Sequence, residues 1–115
     1  MNVNDVVKEM HLTVFGGESG LEKVVAGGYV SDLLSDVRGF SEEGQLWITL
    51  QAHRNVVGVA GLKDLSAVLI VKGVTPDAET IEDSNRENIP LLGTSVGTFE
   101  TAGHLFSILR SHQKR

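Results

Sequence analysis

The chain has no cysteine among its 115 residues. That excludes disulfides, thiol nucleophiles, cysteine-ligated iron–sulfur clusters and thiolate zinc sites. Proline occurs only twice, so there is no Pro-rich linker. Aromatic residues make up 5%, which leaves the core to aliphatic side chains. Basic residues are outnumbered, 10 against 15 acidic, for a net charge of −5. Non-specific nucleic-acid binding needs Lys and Arg to replace the counterions around phosphate, so no nucleic-acid partner is expected. No uncharged apolar run approaches the ~20 residues of a membrane span. Met1–Asp5 has neither the basic nor the apolar region of a signal peptide. The expectation is a cytoplasmic protein with no membrane partner.

The familiar chemical motifs are also missing. There is no G-x-x-x-x-G-K-S/T phosphate loop, no H-E-x-x-H, no G-x-S-x-G elbow and no EF-hand loop. Gly16-Gly17-Glu18-Ser19-Gly20 resembles a glycine loop but lacks the G-x-G-x-x-G spacing and a helix behind it. Neither a P-loop kinase nor a nucleophile-elbow hydrolase is therefore expected. No catalytic residue, cofactor or metal is assigned. The four histidines, His11, His53, His104 and His112, are widely spaced with no i, i+4 pair, and read as solvated or capping groups.

What is present is 13 glycines, 41% hydrophobic and 22% charged residues, the composition of one folded domain over 1–115. Asn2–Met10 reads as a helix with Val3, Val6, Val7 and Met10 on one face, followed by a strand at His11–Phe15. Leu21–Ala26 reads as a second strand that breaks at Gly27-Gly28. Ser31 then caps a short helix, Asp32–Val37, with acidic residues in its first turn. Gln45–Gln51 is a β-branched and aromatic strand. His53–Leu65 is a helix capped by Gln51, His53 or Asn55. Ser66–Lys72 is apolar enough to be a strand buried on both faces. Asp77–Glu87 reads as a polar amphipathic helix ended by Asn88, and Ile89–Gly93 as a last strand. Thr98 caps a final helix with Phe99, Ala102, Leu105, Phe106 and Leu109 on one face, and Arg110–Arg115 reads as a frayed basic tail. The alternation predicts a single α/β domain: a mostly parallel sheet of about five strands with flanking helices.

The segment Thr49–Asn55 lies at the carboxyl end of the best strand and opens a helix. Open α/β sheets bind ligands there, and a helix N-terminus offers free N–H groups to an anion. Gln51, His53, Arg54 and Asn55, with Lys72 and Gly73 after the next strand, are therefore the candidate ligand-binding residues. The plainer reading is that they cap the helix and contact a neighbouring loop or subunit. Asp32 and Asp36, four residues apart, read either as a solvated helix face or as a carboxylate pair that shares a proton or a cation.

Four segments together, GGYVSDLLSDV (Gly27–Val37), LWITLQAHRNVVGVA (Leu46–Ala60), AVLIVKGVTPDAETI (Ala67–Ile81) and IPLLGTSVGTFETAGHL (Ile89–Leu105), resemble a DRTGG domain, closest to small stand-alone members of anaerobic bacteria. Where typical members carry Gly-Asp-Arg after the central strand, this chain has Gln51-Ala52-His53-Arg54-Asn55. Where they carry Thr-Gly-Gly, it has Val71-Lys72-Gly73. Arg54 and Gly73 are the positions that match.

The resemblance implies a regulatory module related to the N-terminal domain of HPr kinase/phosphorylase. It implies self-association as a homodimer, with Gly27–Val37 as the candidate interface. It also implies a redox-signalling partner in an iron-only hydrogenase context. The leading expectation is a non-catalytic sensing module for a small anionic ligand such as a nucleotide. The alternatives are a purely structural protein–protein interaction domain, and a small enzyme using His53 with Asp32 or Asp36 as acid and base.

Overall fold

The computed structural model describes residues 1–113. Helix α1 (Val3–Met10) is started by a reciprocal cap: Asn2 Oδ1 accepts from the Asp5 N–H at 2.8 Å, and the Asp5 carboxylate accepts from the Asn2 N–H at 2.9 Å. It ends at His11, which is left-handed with φ 54°. Then follow β1 (Thr13–Gly16), a 3₁₀ turn (Glu18–Gly20), β2 (Gly27–Val30), α2 (Leu34–Phe40), β3 (Gln45–Thr49), α3 (Arg54–Leu62), β4 (Ala67–Ile70), α4 (Ala78–Glu87), β5 (Leu91–Gly93) and α5 (Thr98–Gln113).

The five strands form one sheet in the order β1-β5-β4-β3-β2. β2, β3, β4 and β5 are parallel neighbours, and β1 pairs antiparallel to β5. This is the mostly parallel α/β domain expected from the alternation of elements. Side chains of the central strands alternate between two cores. Leu46, Ile48, Leu69 and Leu92 face α1 and α5, against Val3, Val6 and Leu105. Trp47, Val68, Ile70 and Leu91 face α2, α3 and α4, against Val37, Val56, Val57 and Ala60. The buried Trp47 indole N–H donates to the Ser31 carbonyl at 2.8 Å, so its one polar atom is satisfied.

Several local expectations are corrected. The second strand is Gly27–Val30, not Leu21–Ala26; Val24 makes only an isolated bridge to Asn2. The glycines lie inside the strand because α5 packs close to it: a Cβ at Gly28 would sit 3.0 Å from the Leu105 side chain. Helix α2 starts two residues later than expected, because Ser31 Oγ binds the Leu33 N–H at 3.1 Å in a turn before the helix. On α5, Leu105 is buried and Ala102 half-buried, but Phe99 is 85% exposed and Phe106 63% exposed. The helix continues through Arg110 to Gln113 rather than fraying there; Lys114 and Arg115 of the expected tail lie outside the described residues.

Candidate functional site

The carboxyl ends of β2 and β3 are laced together by side chains. After β2, the Asp32 carboxylate accepts from Thr49 Oγ1 at 3.0 Å and from the Leu50 N–H at 2.7 Å. Gln51 returns the contact, with Nε2 donating to the Asp32 carbonyl at 3.0 Å and its N–H donating to Thr49 Oγ1 at 3.1 Å. Gln51 is thus held at the strand-end edge, where the sequence places it.

His53 is the N-cap of α3, with extended backbone (φ −85°, ψ 162°) and no side-chain bond to the helix. The first turn of α3 therefore keeps N–H groups without a side-chain cap. Helix α4 differs: Asp77 caps it, accepting from the Thr80 N–H at 2.9 Å and from the Thr80 hydroxyl at 2.8 Å. Those two bonds hold the Asp77 carboxyl below the usual carboxylate range, and nearby His53 and Arg54 lower it further.

Arg54 turns toward α4. Its Nε donates to Asp83 at 2.8 Å and one terminal nitrogen to Glu79 at 3.2 Å. The Asp83 hydrogen bond, then the charges of Asp83 and Glu79, push the guanidinium up from its ordinary value. Arg54 in turn holds the Asp83 carboxyl low, with help from Arg86 on the other side. Asn55 is exposed and lines the groove between α2 and α3 with Leu34 and Arg38. Lys72 (φ 60°) and Gly73 (φ 72°) are the central pair of a tight turn closed by the Val74 N–H on the Val71 carbonyl at 3.3 Å. Their own N–H groups are spent on Val96 and Thr94 carbonyls, at 3.0 and 2.9 Å.

The structure thus brings Gln51, His53, Lys72 and Gly73 to the strand-end edge, and sends the Arg54 side chain along the α3–α4 surface. Asp32 and Asp36 do not form a pair. Asp32 lies before α2 and is taken up by Thr49 and Leu50, while Asp36 accepts from the Tyr29 hydroxyl at 2.8 Å. That bond pushes the Tyr29 hydroxyl pKa up, with smaller contributions from burial and the Asp36 charge. Among the described residues, no group of three or more His, Cys, Asp or Glu converges as a metal site. No helix there is long and apolar enough to cross a membrane.

A feature missed by the sequence reading lies on the opposite face of the sheet. A cavity of about 260 Å³ runs between α5 and the β2–β3 strands, lined by Gly28, Val30, Ile48, Leu105, Phe106 and Leu109. The spacing of Phe99 and Phe106, seven residues apart, puts both on one helix face with Leu105, yet both are exposed. The signal that separates them is the shortness of the sheet beneath: β2 has four residues and α5 sixteen, so the helix carries more apolar surface than the strand covers.

No family model and no curated protein matches the chain. Among solved structures, it is similar to the crystal structure of the CBS and DRTGG domains of the regulatory region of Clostridium perfringens pyrophosphatase, complexed with its activator, diadenosine tetraphosphate. The TM-score is 0.70 at 17% identity, over 91% of this chain and 46% of that one. The fold is DRTGG-like. The chain spans less than half of the chain it matches, and at this identity the similarity concerns the DRTGG-like fold alone.

Proposed function

We propose that this chain is a non-catalytic regulatory module that self-associates and binds a small anionic ligand, such as a nucleotide, at the strand-end edge. The observation that carries the reading is the fold shared with a regulatory region crystallised with a nucleotide activator. The site residues are Gln51, His53, Arg54, Asn55, Lys72 and Gly73. In support, α3 opens at this edge without a side-chain cap, with His53 at its head. Arg54 reaches a ligand there only by exchanging Asp83 and Glu79 for it. The relation to HPr kinase/phosphorylase and the redox-signalling, hydrogenase-linked partner rest on the sequence resemblance. The acid–base enzyme reading is the weakest, since Asp32 and Asp36 are each engaged by other donors.

A second reading, a purely structural interaction domain, is favoured by the apolar groove beside α5 and by the ion pairs that occupy Arg54. A thermal-shift screen with nucleotides separates the two. A ligand at 100-fold its Kd adds about 2.7 kcal/mol to stability, a readily measured rise in Tm. A flat response across mono-, di- and dinucleotides would leave only the interaction domain.

A further inference from the structure

The path of the chain marks one place on the strand-end edge above the others. β2, β3 and β4 all hand the chain to helices on the same face of the sheet, α2, α3 and α4. β5 hands it to α5 on the opposite face. The connections therefore diverge at the carboxyl ends of β4 and β5, and divergence of this kind opens a crevice in α/β sheets. A cavity of about 370 Å³ lies there, over Gly93 at the end of β5. One wall is the turn after β4, Gly73–Thr75, and the other is the start of β1, which pairs Thr13 with Gly93. The turn after β4 and the loop after β5 are tied by the two backbone bonds from Lys72 and Gly73 to Val96 and Thr94. The rim is thus preformed rather than assembled on binding.

The chemistry of the lining is selective. The polar side chains are His11, Thr13, Thr75, Thr94 and Ser95, all imidazole or hydroxyl. No carboxylate among the described residues lines the cavity, in a chain that carries 15 Asp and Glu. Hard cations need oxygen ligands with negative charge, so this lining suits the opposite partner. Hydroxyl and imidazole N–H groups donate to an oxyanion. The apolar part is the Phe15 ring, which lies over Gly93 where any side chain would collide with it, together with half-exposed Val74. A ring surface beside a cluster of donors fits a molecule with a planar group at one end and a phosphate at the other.

We propose that the cleft at the ends of β4 and β5 binds a small phosphate-bearing molecule of mononucleotide size, with its phosphate on His11, Thr13, Thr75 and Ser95 and its planar group against Phe15. This cleft shares only Gly73 with the site at the head of α3, and stands or falls separately from it.

Titration of the ¹⁵N-labelled chain with the four ribonucleoside 5′-monophosphates, followed through backbone amides, tests it. Shifts confined to His11–Phe15, Gly73–Thr75 and Gly93–Ser95 support the proposal. Shifts confined to Gln51–Val56 overturn it and leave the α3 site standing; no shift at millimolar ligand overturns both. Adenosine or inorganic phosphate binding as tightly as the monophosphate also overturns it, because each carries only half of the recognition. Two surface variants complete the test. His11→Asn keeps a residue tolerant of the left-handed backbone and is expected to weaken monophosphate binding several-fold. Ser95→Asp places a like charge in the cleft and is expected to weaken it by about tenfold or more while leaving adenosine binding unchanged. Equal affinity in both variants and the parent chain overturns the proposal.

Discussion

Gly17 shows how a single missing side chain fixes the path of the chain. It is left-handed, with φ 72°, and a Cβ there would overlap the Ile89 carbonyl. Its N–H donates to the Asn85 side chain at 2.8 Å. The corner after β1 thus presses on the end of α4, and the glycines of Gly16–Gly20 are accounted for by this contact. Gly17→Ala combines left-handed strain with a backbone collision, and is expected to destabilise by more than about 2 kcal/mol in urea denaturation. A loss within error of zero would mean the corner relaxes freely. Arg54 is the residue on which the ligand reading at α3 is most exposed to test. With that reading, Arg54→Ala weakens nucleotide binding by up to about tenfold, and Asp83→Asn, which frees the guanidinium, strengthens it. With the interaction-domain reading, neither variant alters binding. In both readings Arg54→Ala lowers the melting temperature modestly: the Glu79 pair is exposed and contributes little, but the Asp83 side chain is 13% exposed and keeps only Arg86 as a partner.

At the scale of elements, α5 and β2 depend on each other. Leu105 is the buried anchor of the helix, and it meets the strand at Gly28, where the absence of a side chain lets the two approach. Leu105→Ala leaves a hole beneath α5 and is expected to cost about 2–5 kcal/mol by chemical denaturation. A cost below 1 kcal/mol would mean that α5 is not anchored at this point. Helix α4 depends on its carboxylates. Asp77 and Asp83 are both held below the usual carboxylate range, chiefly by hydrogen bonds from Thr80 and Arg54. The unfolded chain therefore takes up these protons first as the pH falls. Their contribution is full above the unfolded carboxyl value of about 4 and is lost as the pH drops through the lower folded values. Denaturation midpoints measured from pH 7 down to pH 3 should fall at the acid end, and by less in Asp77→Asn, whose amide keeps a cap without titrating.

At the scale of the whole molecule, the β2 edge leaves apolar side chains open to solvent. Val30, Leu33 and Phe106 are all exposed, and the open edge of β2 is a ready template for pairing. The proposed self-association uses this surface, which takes in part of the Gly27–Val37 segment. Phe106→Glu puts a charge at the rim of the apolar groove and is expected to shift the chain to a monomer in light scattering at micromolar concentration. A parent chain that scatters as a 12.4 kDa species removes the proposal for self-association outright.

The sequence by itself determined the fold class, because alternation of apolar strands with amphipathic helices is a local signal repeated along the chain. Gln45–Thr49 and Ala67–Ile70 were legible as central strands from their unbroken apolar runs. The same local logic located Asn88, which closes α4 in the left-handed conformation. Tertiary structure decided what depends on neighbours distant in sequence. Gly27-Gly28 became a strand rather than a break because α5, some 75 residues on, packs against it. Asp32 and Asp36 parted because Thr49 and Tyr29 compete for them. Arg54, placed at the strand ends by its position, was drawn to carboxylates 25 and 29 residues away. The order of the strands, and with it the crevice between β4 and β5, is set by which face each helix covers. Periodicity gives a helix its apolar stripe, but only packing chooses the surface that the stripe meets.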